Sequence, residues 1–70
     1  MKQGTLVFDE RLDRYDVRFD LADYYGGVGE GEPLQVFIGG KWRQTRMEYG
    51  DNWYLKGIRT LDLNGLRVRI

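Results

Sequence analysis

The segment Gly27-Val28-Gly29-Glu30-Gly31-Glu32 begins like the phosphate-binding motif G-x-G-x-x-G, in which glycines let backbone N–H groups approach a pyrophosphate. Its sixth position is Glu32, however, and the carboxylates of Glu30 and Glu32 would repel a phosphate group. Gly40-Lys41 does not form a P-loop either, because Trp42 occupies the position that needs Ser or Thr. We therefore interpret the glycine-rich segment as a flexible surface loop without a nucleotide.

Catalytic chemistry is poorly supported by the rest of the composition. The chain has no Cys, no His and no Ser, which excludes disulfides, thiolate nucleophiles, imidazole bases and the common acyl-transfer triads. Carboxylates are numerous in the first third of the chain, at Asp9, Glu10, Asp13, Asp16, Asp20 and Asp23. They follow no calcium-loop pattern, and we expect them to be solvated turn residues. The sequence predicts no catalytic residue, no metal ligand and no cofactor, and hence a protein that is not an enzyme.

The aromatic side chains are the best indication of function. Phe, Trp and Tyr together number ten in 70 residues, and a core of this size encloses only about half of them. Trp42 shares a strand face with Gln44 and Arg46, while Thr45 suits the interior, so Trp42 should lie on the outer face and be partly exposed. The candidate binding surface consists of Tyr24, Tyr25, Trp42, Arg43, Arg46 and Tyr49.

Exposed Trp and Tyr beside Arg are the residue types that dominate protein-interface hot spots. Another protein is therefore the expected partner. In this mechanism Trp42, Tyr24 and Tyr25 bury area, and Arg43 and Arg46 orient the partner by bidentate pairing.

Charge is segregated along the chain, although it sums to zero. Residues 1–33 hold 8 acidic and 4 basic residues, and residues 34–70 hold 7 basic and 3 acidic residues. A stripe of Arg43, Lys56, Arg67 and Arg69 near a tryptophan would suit single-stranded nucleic acid, which is the alternative function. The pI of about 6.2 favours instead an acidic hairpin that faces the basic sheet within the molecule.

The elements that must position these residues are short strands. Tyr15, Val17 and Phe19 alternate with polar residues, and so do Leu34, Val36 and Ile38, in the period of two that marks half-buried strands. Gly39-Gly40 supplies the positive φ angles of a two-residue hairpin turn. The pattern predicts an all-β protein, a single domain over residues 1–70 with five to six short antiparallel strands.

The C-terminal segment has two interpretations. Asn64-Gly65 is either a hairpin turn between Leu61/Leu63 and Leu66/Val68, or part of a tight helical turn before a last strand. No apolar run is long enough to span a membrane and the N-terminus does not resemble a signal peptide, so we expect a cytoplasmic protein. We also expect it to be a monomer.

From Gly31 onward the chain resembles an SH3-like barrel. Gly31-Glu32-Pro33-Leu34-Gln35-Val36 resembles the turn and strand before the n-Src loop. Trp42 follows the Gly39-Gly40 turn as the groove tryptophan does, and Leu63-Asn64-Gly65-Leu66 resembles the short 3₁₀ turn. The acidic aromatic signature and the Pro-x-Asn-Tyr signature of proline-peptide binders are missing. The resemblance implies a small SH3-like barrel, but no proline-peptide ligand.

A second resemblance covers nearly the whole chain. It is carried by Gly4-Thr5-Leu6, Arg14 to Phe19, Gly40-Lys41-Trp42 with Thr45-Arg46, Trp53 to Gly57 and Asp62 to Leu66. These residues resemble a small family, described as a domain of unknown function, from low-GC Gram-positive bacteria and their phages and conjugative elements. The resemblance implies an accessory protein of a mobile element and provides no catalytic residue.

Overall fold

The computed structural model describes all residues from Met1 to Ile70 and contains β-strands but no helix. The strands are β1 (Gln3–Asp9), β2 (Arg14–Asp20), β3 (Asp23–Tyr24), β4 (Pro33–Ile38), β5 (Lys41–Tyr49), β6 (Trp53–Leu55) and β7 (Arg67–Arg69). The prediction of a small all-β fold is confirmed. The two-residue strand β3 falls in a segment for which the sequence shows no alternation, and with it the structure has seven strands.

All seven strands belong to one antiparallel sheet in the order β3-β2-β1-β7-β4-β5-β6. The C-terminal strand β7 lies between β1 and β4 and joins the two hairpins β1–β2 and β4–β5. The sheet curls so that its last strand reaches the first hairpin. The indole N–H of Trp53 in β6 donates a hydrogen bond to the Asp13 carbonyl between β1 and β2, at 3.1 Å. The two halves of the chain therefore enclose a common interior.

The core consists of apolar side chains that point inward from the sheet and its connecting segments. Its nine members are Leu6, Val17, Val28, Leu34, Val36, Met47, Leu55, Leu63 and Val68. Val36 is fully buried and Ile38 packs against the core from the end of the same strand, as the alternation in β4 predicts. Thr45 and Met47 are also buried, which fixes the opposite face of β5 as the outer face.

Three glycines are required by the backbone, two in a turn and one within a strand. Gly39 and Gly40 have φ angles of 62° and 78° in the turn between β4 and β5, and these positive values suit a tight hairpin turn of the predicted kind. Gly4 in β1 permits a close approach of strands, since a Cβ atom there would lie 2.6 Å from the Arg18 carbonyl oxygen. No side chain fits at that position without a shift of the backbone.

The glycine-rich segment differs from the free surface loop that its composition predicts. The carboxylate of Asp16 accepts hydrogen bonds from the backbone N–H groups of Gly26 at 2.9 Å and Gly27 at 2.8 Å. Farther along, Val28 enters the core and its N–H donates to the Tyr15 carbonyl at 2.8 Å. The prediction that Asp16 is a solvated turn residue is wrong, because its carboxylate is buried as the anchor of this segment.

The segment before β7 forms a turn rather than a hairpin. Leu66 N–H donates to the Leu63 carbonyl at 3.3 Å, and Gly65 N–H donates to the Leu6 carbonyl at 2.8 Å. The side chain of Asn64 accepts a hydrogen bond from the Phe8 N–H at 2.8 Å. Of the two sequence-based interpretations, the structure has the tight turn that leads into a last strand.

Candidate binding surface

The strand register places six side chains in one row across the outer face of the sheet. Register pairs join Tyr24 to Arg18, Arg18 to Thr5, and Thr5 to Arg67. In the β4–β7 pair, Val36 stands opposite Val68, so the next position places Phe37 opposite Arg67. Phe37 in turn pairs with Trp42 of β5. We call this set the cross-sheet row: Tyr24, Arg18, Thr5, Arg67, Phe37 and Trp42.

An aromatic pair capped by two guanidinium groups forms one end of the cross-sheet row. The rings of Phe37 and Trp42 meet edge to face with centroids 5.3 Å apart. The guanidinium carbon of Arg69 lies 4.2 Å from the Trp42 ring centre, and that of Arg67 lies 5.6 Å from the Phe37 ring centre. Both distances are within the range of cation–π attraction, so rings and guanidinium groups form one layered cluster.

A second row, composed mainly of amides, runs beside the cross-sheet row. Arg69 pairs in register with Gln3 on one side and Gln35 on the other, and Gln35 pairs with Gln44. We call Gln3, Arg69, Gln35 and Gln44 the glutamine row. Arg69 Nε donates a hydrogen bond to Gln35 Oε1, and Gln35 Nε2 donates to Gln44 Oε1 at 3.3 Å. These bonds hold the Arg69 guanidinium above the indole.

The two rows contain no carboxylate, and the cationic groups on them are not neutralised elsewhere. The structure has three ion pairs: Lys2 with Asp23, Arg11 with Asp9, and Arg46 with Glu48. Each joins residues of the same half of the chain. The acidic hairpin, which the sequence is expected to place facing the basic sheet, therefore forms no ion pair with it. Arg67 and Arg69 keep their positive charge available on the outer face. Arg18 donates through Nε to the Asp20 carbonyl at 3.3 Å and lines a cavity with Asp9, Glu10 and Asp16, without an ion pair to any of them.

Tyr24 and Trp42 share the cross-sheet row but do not meet. They stand at its opposite ends, and the four strands β2, β1, β7 and β4 lie between them. At a spacing of about 4.8 Å between strands, the row spans about 24 Å along the sheet. Tyr24 is 48% exposed and Trp42 is half-buried, so both ends present aromatic surface to solvent. The row is thus a band rather than a pocket.

The two arginines that the sequence assigns to the surface lie in different environments. Arg46 shares the outer face of β5 with Trp42, and its Nε lies 3.7 Å from Glu48 Oε1. Arg43 alternates with Trp42 and points to the opposite side of the strand, in the direction of Thr45 and Met47. Arg43 cannot act together with Trp42 on one flat surface, and Arg67 and Arg69 stand beside Trp42 in its place.

Tyr25 and Tyr49 lie outside both rows. Tyr25 follows β3, and its backbone N–H donates to the Val17 carbonyl at 2.8 Å. Desolvation and the neighbouring Glu32 carboxylate raise the pKa of the Tyr25 phenol. Tyr49 ends β5 on the side opposite to Trp42 and packs edge to face on Trp53, with ring centroids 4.8 Å apart. The structure thus divides the candidate residues among several locations.

The surface also includes four residues that are not among the six candidates from the sequence: Phe37, Arg18, Arg67 and Arg69. Arg67 and Arg69 belong to the basic stripe of the alternative function, while Phe37 and Arg18 are not singled out by their local pattern. The signal for Phe37 was its position opposite Trp42 across the Gly39-Gly40 turn, since a two-residue turn fixes the register of a hairpin.

Other kinds of site have little structural basis. No three His, Cys, Asp or Glu side chains gather as a metal ion would need. The chain has no helix with the length and apolar character that crossing a bilayer requires.

Comparison with known proteins gives a family and a structural relative. Residues 4–70 match the model of a family described as a domain of unknown function, DUF5348. A crystal structure of a protein from Ruminococcus gnavus, a structural genomics target, is 47% identical in sequence and superposes with a TM-score of 0.92. The match covers 97% of this chain and 99% of that chain. None of the curated proteins matches the sequence.

Proposed function

Because the chain belongs to the DUF5348 family, whose description gives no activity, we propose a function from its own surface. The protein is a non-enzymatic binding module that docks a larger partner on the cross-sheet row and the glutamine row. The observation that carries this proposal is the cluster of Phe37, Trp42, Arg67 and Arg69 on the outer face.

This cluster has the properties of a contact surface. Phe37 is 36% exposed, and the Arg67 and Arg69 guanidinium groups lie over the rings without a carboxylate partner. Aromatic rings provide apolar area at low entropic cost, and arginines pair with planar anionic groups in fixed geometry. Any partner that presents planar anionic groups, a protein with exposed carboxylates among them, would bury the ring edges and pair those groups with the two arginines.

The experiment is an affinity pull-down from the host extract with and without nuclease, using the wild type and three variants. Trp42→Ala removes the larger ring, and Arg67→Glu reverses an exposed charge without touching the core. Tyr49→Ala is the matched control, because it removes an exposed aromatic from the opposite side of β5. We expect Trp42→Ala and Arg67→Glu to lose the captured partner and Tyr49→Ala to retain it.

Two results would contradict the proposal. The first is loss of the partner from Tyr49→Ala to the same extent as from Arg67→Glu. The second is a Trp42→Ala variant that unfolds while its folded fraction, together with Arg67→Glu, binds normally. In that case Trp42 and its neighbours stabilise the sheet and the partner binds elsewhere.

The cellular setting is part of the same proposal. We propose that the curled sheet is an SH3-like barrel. The protein is a cytoplasmic monomer in this proposal, and its role is that of an accessory protein of a mobile element. The family resemblance supports this setting. Cell fractionation tests the location, and sedimentation equilibrium of the purified chain tests the monomeric state.

A further inference from the structure

We infer that the partner of this surface is a single-stranded nucleic acid, laid along the cross-sheet row with its bases against the rings and guanidinium planes. This inference rests on the proposed binding surface and names its occupant. Three features of the surface carry it: unneutralised positive charge, stacking planes along one band, and amides beside them.

The charge distribution selects a polyanion. Arg18 and Arg67 stand in the cross-sheet row on either side of Thr5, and Arg69 stands beside them in the glutamine row. None of the three forms an ion pair with a carboxylate of this chain. Arg18 on β2 is separated by β1 from the two arginines on β7, so the charges are spread along the sheet rather than gathered at one point and match charges repeated along a chain. A phosphate backbone provides such repeated charge in every sequence.

The stacking planes favour bases over carboxylates. The guanidinium carbon of Arg69 lies over the Trp42 indole, 4.2 Å from the ring centre. Bases of single strands stack on aromatic rings and on guanidinium planes alike. Tyr24, at the far end of the row, is 48% exposed and offers a second platform. A peptide of Asp and Glu can pair its carboxylates with the arginines, but it has no ring to stack on these planes.

Amides beside the stacking band suit the edges of bases. Gln3 makes no side-chain hydrogen bond and offers a donor and an acceptor, and Gln35 keeps one N–H and one lone pair beyond its bonds to Arg69 and Gln44. The bases of a duplex are stacked inside and cannot reach rings on a broad sheet face, whereas splayed bases of a single strand can. The band is about 24 Å long. This length suits a binding site of a few nucleotides, at the lower end of the site sizes of small OB-fold barrels.

The test is fluorescence anisotropy of the purified full chain with labelled oligonucleotides of about twelve nucleotides, oligo-dT and oligo-U, at low and moderate salt. A hairpin duplex of the same length and a poly-glutamate peptide serve as competing ligands. Three arginine contacts predict a slope of log affinity against log salt of about −2, because each contact to a single strand contributes about −0.7. Affinity then falls about 20-fold between about 50 mM and 200 mM salt.

Matched variants separate specific contacts from general charge. Arg67→Gln/Arg69→Gln removes two charges of the band and lowers the slope to about −0.7. Arg43→Gln/Arg59→Gln removes two exposed charges outside the rows and leaves the slope near its wild-type value. Phe37→Ala weakens binding by roughly fivefold to 150-fold, the range for loss of one stacked base, and Tyr49→Ala does not. A circular dichroism melt of each variant verifies that it is folded.

The inference is overturned if neither single strand binds at low salt, if poly-glutamate or the duplex binds as tightly, or if the two arginine double variants weaken binding equally. Failure of this inference can be told apart from failure of the proposed function. A nuclease-resistant protein captured by the wild type and lost from Arg67→Glu would keep the surface and replace its occupant. If neither the pull-down nor the anisotropy titration gives the expected result, the two rows are not a binding surface.

Discussion

The guanidinium group of Arg69 lies 4.2 Å from the ring centre of Trp42, although their strands β7 and β5 are separated by β4. The arginine reaches across the intervening strand, where its Nε donates a hydrogen bond to Gln35 Oε1. This contact joins the last strand of the chain to the β4–β5 hairpin on the outer face. It also turns a surface tryptophan into part of a charged platform.

A double-mutant cycle measures this contact. We expect Arg69→Met and Trp42→Leu to be coupled by about 0.5–1 kcal/mol in the free energy of unfolding, the range for exposed cation–π pairs. Urea denaturation of the four proteins gives the coupling energy. Arg43→Met with Trp42→Leu is the control, because Arg43 points to the opposite side of β5, and a coupling of equal size there would refute the assignment.

Gly4 is the position at which β1 least tolerates a side chain. We expect Gly4→Ala to lower the free energy of unfolding by about 1–3 kcal/mol, the usual cost of overpacking, because its Cβ would lie 2.6 Å from the Arg18 carbonyl oxygen and 2.7 Å from Val17 Cγ1. Thermal melting monitored by circular dichroism tests this. Gly29→Ala, where a Cβ meets no atom within 4 Å, should leave the melting temperature nearly unchanged.

The two faces of β4 should differ in their contribution to stability. Val36→Ala removes two methyl groups from a fully buried side chain, and we expect a loss on the order of 2 kcal/mol in the free energy of unfolding. Gln35→Ala, on the outer face, should cost clearly less. Chemical denaturation compares the two variants. Equal losses would mean that the outer hydrogen bonds of Gln35 contribute as much as the core contact of Val36.

Asp16 should determine whether the glycine-rich segment stays in place. Asp16→Ala leaves the N–H groups of Gly26 and Gly27 without their acceptor, and we expect a loss of about 1–3 kcal/mol in the free energy of unfolding. Asp16→Asn retains one acceptor oxygen and should lose less. Amide hydrogen exchange at Gly26 and Gly27 reports the effect directly. Unchanged protection in Asp16→Ala would show that the buried Val28 alone anchors the segment.

Tyr25 should lose its proton at higher pH than an ordinary tyrosine. Its pKa is raised by desolvation and by Glu32, so the fold favours the neutral phenol. The resulting stabilisation is present in full below the unfolded pKa of about 10 and is lost as pH rises through the higher folded value. Ultraviolet titration of the phenols should show that Glu32→Gln shifts one late-titrating tyrosine to lower pH. Burial and Asp62 raise the pKa of Tyr15 as well, so a second late-titrating tyrosine should remain. Tyr25→Phe should remove only the component that responds to Glu32→Gln, and persistence of that component would contradict the assignment.

Local patterns in the sequence predict much of this protein. The alternation in β2 and β4 gives the strands and their inner faces, because successive side chains of an extended chain point to opposite sides. Gly39-Gly40 gives the β4–β5 hairpin, since a two-residue turn fixes register between neighbours. The outer position of Trp42 also follows from these local rules.

The binding surface, by contrast, depends on which distant strands become neighbours. Nothing local to Arg67 and Arg69 shows that β7 inserts between β1 and β4, and this insertion brings them to Phe37 and Trp42. The burial of Asp16 does not follow from local pattern either, because a carboxylate in an alternating strand is expected to be solvated unless a remote segment, here the glycine-rich one, covers it. Side-chain direction is a property of one strand, whereas strand order depends on the packing of the whole core. Alternation along each strand therefore gives the face of a side chain in advance, whereas the neighbours on that face follow from the strand order of the folded chain.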